Sequence, residues 1–330
     1  MERIKEIWYQ LENNTSTVAG LFKQRYSETS RCDVYLGIKY PENYRLLIIK
    51  TPFSVGKDFK FQYEFRGLKF DKVYDDDPEY LLLNLVLVDR QFKDVFDTLI
   101  ADVISDIIEL TDIKLILKNF TNRLIKWQSL FEKFGQQGLG PEEQRGLFGE
   151  LYFLRECLSN GFDFMKILNA WVGPSNEVRD FQAGSWSLEV KTTHGNNHQK
   201  VHISSERQLD TSHLENLFLF HLSLELRHGS GETLNDIVDS VIEILSIEFA
   251  SLNCFRSKLI EAGFFDNHRQ VYENTGYFIR QGLFYKVEND FPRIEEKDLR
   301  NGVGDVKYSI VISQCPDYLL KEENVFQIIR

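Results

Sequence analysis

The chain has 330 residues, 42% of them hydrophobic and 27% charged, with 26 phenylalanines. That much apolar surface excludes a disordered chain, and the length implies two or three domains. A formal charge of -11 excludes a global basic footprint for nucleic acid and leaves only local cationic grooves.

The opening stretch MERIKEIWYQLENN lacks the continuous apolar run of a secretory signal. No span approaches the ~20 apolar residues that cross a bilayer. Cys32, Cys157, Cys254 and Cys315 form no CxxC pair, so neither a zinc site nor a disulfide scaffold is implied, and a reducing cytoplasm fits. Up to about Phe120 the pattern reads as β-rich, with CDVYLGIKY, YRLLIIKTP, KFQYEFRG and EYLLLNLVLVD as runs between turn signals. FKDVFDTLIADVISDIIEL and LKNFTNRLIKWQSLFEKF then repeat apolar residues at three and four, which predicts helices bridging the two halves. GQQGLGPEEQ reads as a break and a helix start. The helix predicted over Glu142–Ser159 has a broad apolar face through Leu147, Phe148, Leu151, Tyr152, Leu154 and Leu158, with Glu150 beside it. Gly149 costs a helix roughly 1 kcal/mol relative to alanine, which is tolerable if something must approach closely there.

The stretch from Val178 to Thr193, VRDFQAGSWSLEVKTT, reads as two strands joined at Gly184-Ser185. Alternation puts Trp186, Leu188 and Val190 on one face and Ser187, Glu189 and Lys191 on the other, with Asp180 near the start of the first strand. Folding the hairpin brings the Asp180 carboxylate toward Glu189, although a solvated strand face has the same pattern. KVHISSERQLD reads as a strand running into a short helix, and LENLFLFHLSLEL as a buried strand, giving the sheet four candidate strands. ETLNDIVDSVIEILSIEF and SLNCFRSKLIEAGF read as amphipathic helices. YENTGYFIRQGLFYKVENDFPRI and DVKYSIVISQC return to β signals around Asn301-Gly302, as a small separate module. His194, His198 and His202 lie close together without helical metal-ligand spacing. They read as loop and strand-edge residues, with nucleic-acid backbone contact as the functional alternative. Trp171 and Trp186 read as core, and Cys157 as a small buried apolar residue.

A helix with Glu150, a strand, a hairpin with Asp180 and Glu189-Val190-Lys191, a strand-to-helix unit with Gln208 and a further strand together resemble the catalytic core of the PD-(D/E)XK nuclease superfamily. Within it, GLFGELYFL, AWVGP, RDF, LEVKTT and VHISSERQL are similar to a bacterial family assigned there by motif. The resemblance implies an α/β, restriction-endonuclease-like αβββαβ core with a central mixed sheet over 141–225. A β-rich N-terminal module (1–120), a helical linker (121–140) and a C-terminal α+β extension (226–330) complete the expected domains. One departure is that Arg179, not a proline, precedes Asp180, with Pro174 further back.

The resemblance implies metal-dependent phosphodiester hydrolysis by a DNA endonuclease in bacterial restriction or anti-phage defence. RNA is a further candidate substrate. Hydrolysis at phosphorus needs a hard cation to polarise an oxygen and acidify a water, and carboxylates suit Mg²⁺, with Mn²⁺ as substitute. Asp180 and Glu189 would be ligands, with the Val190 carbonyl and Glu150 adding to them. Lys191 would position the water and stabilise developing charge. Gln208 and Ser205 match polar positions beyond the ExK strand that orient such sites. Homodimerisation fits the cutting of two strands. No GxxxxGK[ST] occurs, so an NTPase, like a methyltransferase, would be a separate partner. The reading from another class is a catalytically silent subunit that keeps the fold to bind nucleic acid or protein.

Overall fold

Ile4, Ile7, Trp8 and Leu11 recur at three and four, and all four are buried on one face of α1 (Glu2–Asn13). The β-rich reading of the N-terminal region therefore needs correcting at its start, where a helix stands. The computed structural model describes residues 2–13, 19–61, 67–134, 138–175, 177–195, 199–212 and 214–330, in two units, 1–135 and 136–330. Together they make a mixed α/β structure.

In the first unit β1 (Gly20–Arg25), β2 (Val34–Tyr40), β3 (Tyr44–Pro52), β4 (Leu68–Tyr74) and β5 (Tyr80–Leu87) build an antiparallel sheet of order β1-β2-β3-β5-β4, with the short helix α2 (Phe53–Gly56) following β3. Much of the KFQYEFRG run lies at 62–66, outside the described residues, and the strand there starts at Leu68. α3 (Lys93–Ile107) and α4 (Ile113–Phe134) follow. Trp127 donates its indole N–H to Asp102 at 2.8 Å, and the Arg123 guanidinium pairs with the same carboxylate. These bonds tie α4 to α3, so the helix read as a bridge falls within the first unit.

The second unit opens with α5 (Pro141–Ser159), where Pro141 stands in the first turn and the Glu143 carboxylate accepts the Gly140 N–H at 2.8 Å. Next come α6 (Phe164–Ala170), β6 (Phe181–Ala183), β7 (Trp186–His194), β8 (Lys200–Ile203), β9 (Asn216–His228), β10 (Glu232–Thr233), α7 (Leu234–Leu245), α8 (Phe249–Glu261) and α9 (Arg269–Tyr272). β11 (Thr275–Lys286), β12 (Tyr308–Val311), β13 (Leu319–Leu320) and α10 (Glu322–Ile329) complete it. The main sheet has the order β10-β11-β9-β7-β6, with β13 on β11. β7 and β9 run parallel, from Trp186 opposite Asn216 to His194 opposite Leu224, while the other pairings are antiparallel.

Two sequence expectations change here. β8 does not join the main sheet but pairs with β12 in a separate two-stranded ribbon, and the short helix after it is a single 3-10 turn, Glu206–Leu209. The region read as a separate C-terminal module contributes β11, which pairs with β9 from Phe218 to His228 through one bulge between Ile279 and Gln281. α5 covers one face of the sheet, where Phe153 meets Phe181 edge-on at 4.8 Å and packs with Phe220, Phe284 and Phe326. Burying each such ring contributes roughly 1.5–3 kcal/mol. On the other face Leu217 and Leu219 pack with Val201, Ile203, Leu209, Tyr285 and Ile310, so the β8–β12 ribbon lies over this side. That layer brings the 3-10 turn down onto the polar row of β7. Among the described residues no helix is long and apolar enough to cross a membrane.

Candidate active site

β6 and β7 form the expected hairpin around Gly184-Ser185, with Phe181 opposite Leu188, so continuing the register sets Asp180 opposite Glu189. Leu188 and Val190 belong to the α5 face, and Glu189 and Lys191 to the face under the ribbon. This second face is not solvated: Ser187 and Glu189 are each only 1% exposed. Gly149 explains how α5 comes so near. A Cβ there would stand 2.4 Å from Thr192 Cγ2 and 3.2 Å from Val190 Cγ1, so only glycine lets this turn of the helix rest on β7.

The five residues predicted for catalysis are linked by hydrogen bonds and charge. Glu189 Oε1 accepts from Lys191 Nζ at 2.7 Å and from Gln208 Nε2 at 2.6 Å. Gln208 Oε1 in turn accepts from Lys191 Nζ at 3.1 Å and from the Ser204 N–H at 2.9 Å. Asp180 Oδ2 accepts the Val190 N–H at 2.7 Å. A strand residue sends its N–H and C=O to the same side, so the Val190 carbonyl also faces the Asp180 edge. Glu150 Oε2 accepts the indole N–H of Trp171 at 2.7 Å. Ser205 does not join the cluster: its hydroxyl accepts the Arg207 N–H at 3.3 Å and caps the turn that carries Gln208.

Burial pushes the Glu150 carboxyl well up, and the neighbouring Asp180 charge adds to that, against the Trp171 hydrogen bond. Asp180 is raised by burial too, with Lys191 and the Val190 N–H opposing. Burial and Asp180 push Glu189 up to about 8 despite Lys191. Burial acts to lower the Lys191 ammonium, but Glu189 and Asp180 outweigh it and keep the group protonated. Three carboxyls thus compete for one lysine. Buried charge concentrated in this way marks functional sites more often than structural ones.

The donor set fits a hard divalent cation. Glu189 Oε2 is buried with no hydrogen-bond partner, a costly state for a carboxylate oxygen unless something else binds it. A Cβ on Gly173 would lie 2.6 Å from Glu150 Oε2 and 3.2 Å from Asp180 Oδ1, so the bare backbone of Gly173 leaves the space into which both oxygens turn. Carboxylate oxygens with a backbone carbonyl are the ligands Mg²⁺ and Mn²⁺ take. Among the described residues no three His, Cys, Asp or Glu side chains already converge as a finished cluster, and Lys191 pairs with Glu189 Oε1.

His194 and His202 take no part in this cluster. His194 is exposed, His202 stands on β8 with Nδ1 3.4 Å from Ser309 Oγ, and His198 lies outside the described residues. Trp186 and Cys157 are buried as expected. Trp171 is buried too, but the sequence reading missed its bond to Glu150. Gly173 and Arg179 were also passed over as site residues. The signal for Arg179 was its place beside Asp180, where it stood only as a departure from a proline.

A family model described as "Putative PD-(D/E)XK family member, (DUF4420)" matches residues 4–313. The chain belongs to this family, and the match spans both units. No curated protein and no solved structure matches the chain.

Proposed function

We propose that the second unit carries a restriction-endonuclease-like core that hydrolyses phosphodiester bonds with a divalent metal, cutting DNA internally. The observation that carries this reading is the buried, unpartnered Glu189 Oε2 beside Asp180, Glu150 and the Val190 carbonyl. Asp180, Glu189, Val190 and Glu150 would hold Mg²⁺ or Mn²⁺, which when bound polarises a phosphoryl oxygen and acidifies a water. Lys191, kept protonated by the carboxylates around it, faces the developing phosphorane charge as a donor. Gln208 orients Lys191 and Glu189 together. A bacterial restriction or anti-phage setting, with a homodimer or a separate NTPase or methyltransferase partner, belongs to the same proposal and rests on family resemblance.

The test is cleavage of supercoiled plasmid, single-stranded DNA and RNA with Mg²⁺, Mn²⁺ or EDTA by wild type and Lys191→Ala, beside Mn²⁺ titration of wild type and Asp180→Ala. Metal-dependent nicking lost in Lys191→Ala, with Mn²⁺ binding lost in Asp180→Ala, is the expected result. Mn²⁺ affinity unchanged in Asp180→Ala overturns the site. Binding of Mn²⁺ without cleavage of any polymer favours the catalytically silent subunit.

A further inference from the structure

Arg179 and Asp180 are consecutive, and their side chains serve opposite halves of the site. Asp180 turns to the Val190 N–H, while the Arg179 guanidinium reaches the 3-10 turn. There Nε donates to the Gln208 carbonyl at 2.9 Å, and Nη2 donates to the carbonyls of Arg207 at 3.0 Å and Asp210 at 2.6 Å. A planar fork with fixed donors gathers three carbonyls in a way an ammonium cannot match. The residue so held, Gln208, has its side chain bonded to Glu189, Lys191 and the Ser204 N–H at once. The turn has no regular ladder of its own, being a single 3-10 segment between β8 and β9, so the guanidinium supplies bonds that strand pairing does not.

We propose that Arg179 is a positioning residue: it latches the 207–210 turn and so fixes the Gln208 amide that aligns Lys191 and Glu189. This rests on the nuclease reading given above. If the latch opens, the Gln208 amide leaves both partners, and the Lys191–Glu189 pair, closed at 2.7 Å, loses the acceptor and the donor that fix its orientation toward substrate. The loss falls on the chemical step rather than on DNA binding.

The experiment compares wild type, Arg179→Lys, Arg179→Met and Gln208→Ala in metal-dependent plasmid cleavage, and follows the Gln208 side-chain amide protons by ¹⁵N correlation NMR. The expected result is a roughly 10- to 100-fold loss of kcat in Arg179→Met and in Gln208→Ala, as supporting-residue changes around metal sites typically give. KM for DNA should stay within about threefold, and Arg179→Lys should recover only part of the loss. Arg179→Met combined with Gln208→Ala should be no worse than either alone. The Gln208 amide signals should move from hydrogen-bonded to free positions in Arg179→Met while the remaining spectrum stays folded. Additive losses, or Gln208 signals unmoved by Arg179→Met, overturn the latch. The NMR arm decides this even for a wild type that cuts no polymer, an outcome that overturns the nuclease reading separately.

Discussion

Gly149→Ala measures how tightly α5 is pressed onto β7. In an exposed helix this change gains about 1 kcal/mol from propensity. Here the new methyl would meet Thr192 Cγ2 at 2.4 Å and Val190 Cγ1 at 3.2 Å, both on a β-branched side chain with little freedom to turn aside. Overpacking of this kind costs about 1–3 kcal/mol, so the net expectation is a loss of about 1 kcal/mol, up to about 2. Urea unfolding at constant m reads it directly. Thr192→Ser removes the nearer methyl, so in that background Gly149→Ala should turn neutral or slightly stabilising, with a coupling of about 1–2 kcal/mol across the cycle. Because Glu150 is the next residue, Mn²⁺ affinity should fall in the single variant and recover in the double. Stabilisation by Gly149→Ala alone, or a cycle without coupling, would refute the close approach and with it the reason for glycine at this place.

Trp171→Phe removes the indole N–H that Glu150 Oε2 accepts, so it should cost about 1–3 kcal/mol beyond the packing loss and raise the Glu150 pKa further. Mn²⁺ titrations should then need a higher pH, and an unchanged pH midpoint would argue that the indole only fills space. Adding Mg²⁺ at 100 times its Kd should stabilise the wild type by about 2.7 kcal/mol and leave Glu189→Gln unmoved in thermal unfolding. Equal shifts in both would mean that the ion binds elsewhere. Burial raises the Glu295 carboxyl, but Lys297, Thr211 and Arg293 outweigh it and hold the group at about 2, against 4.5 for an ordinary glutamate. The folded pKa is the lower one, so this stability is fully present above 4.5 and is lost as pH falls through 2. Glu295→Gln should flatten the acid limb of the unfolding curve, and an identical limb would show that these partners give no net stabilisation.

The residues proposed to carry the chemistry were legible because they are local. The alternation around Glu189 and Lys191 needs only one strand, and Asp180 reaches its place through a hairpin two residues across at the turn. The apolar row from Leu217 to Leu224 marked β9 as buried, and the structure buries every one of these residues. What escaped depends on partners far along the chain. β8 alternates exposed and buried residues as it would beside any strand, so nothing local says that Tyr308–Val311 is its mate and not the main sheet. The guanidinium of Arg179 acts on carbonyls about thirty residues later, and carbonyls leave no trace in a side-chain pattern. α1 was the avoidable miss, since positions 4, 7, 8 and 11 spell a helix face without any tertiary information.

The pairing of β11 with β9 bears on how small a working piece of this protein can be. All five site residues have been synthesised once β9 is complete, yet β9 then has a neighbour on one side only, with β7 behind it and open backbone ahead. A fragment ending at 225 would present Leu217, Phe218, Leu219, Phe220, Leu222 and Leu224 along a bare edge, the arrangement that drives strands of separate molecules together. The residues that quench this edge, Thr275–Lys286, arrive only after three helices have intervened. The smallest soluble fragment that retains the site should therefore extend past Lys286, and a nascent chain halted short of that point is a natural client for chaperones.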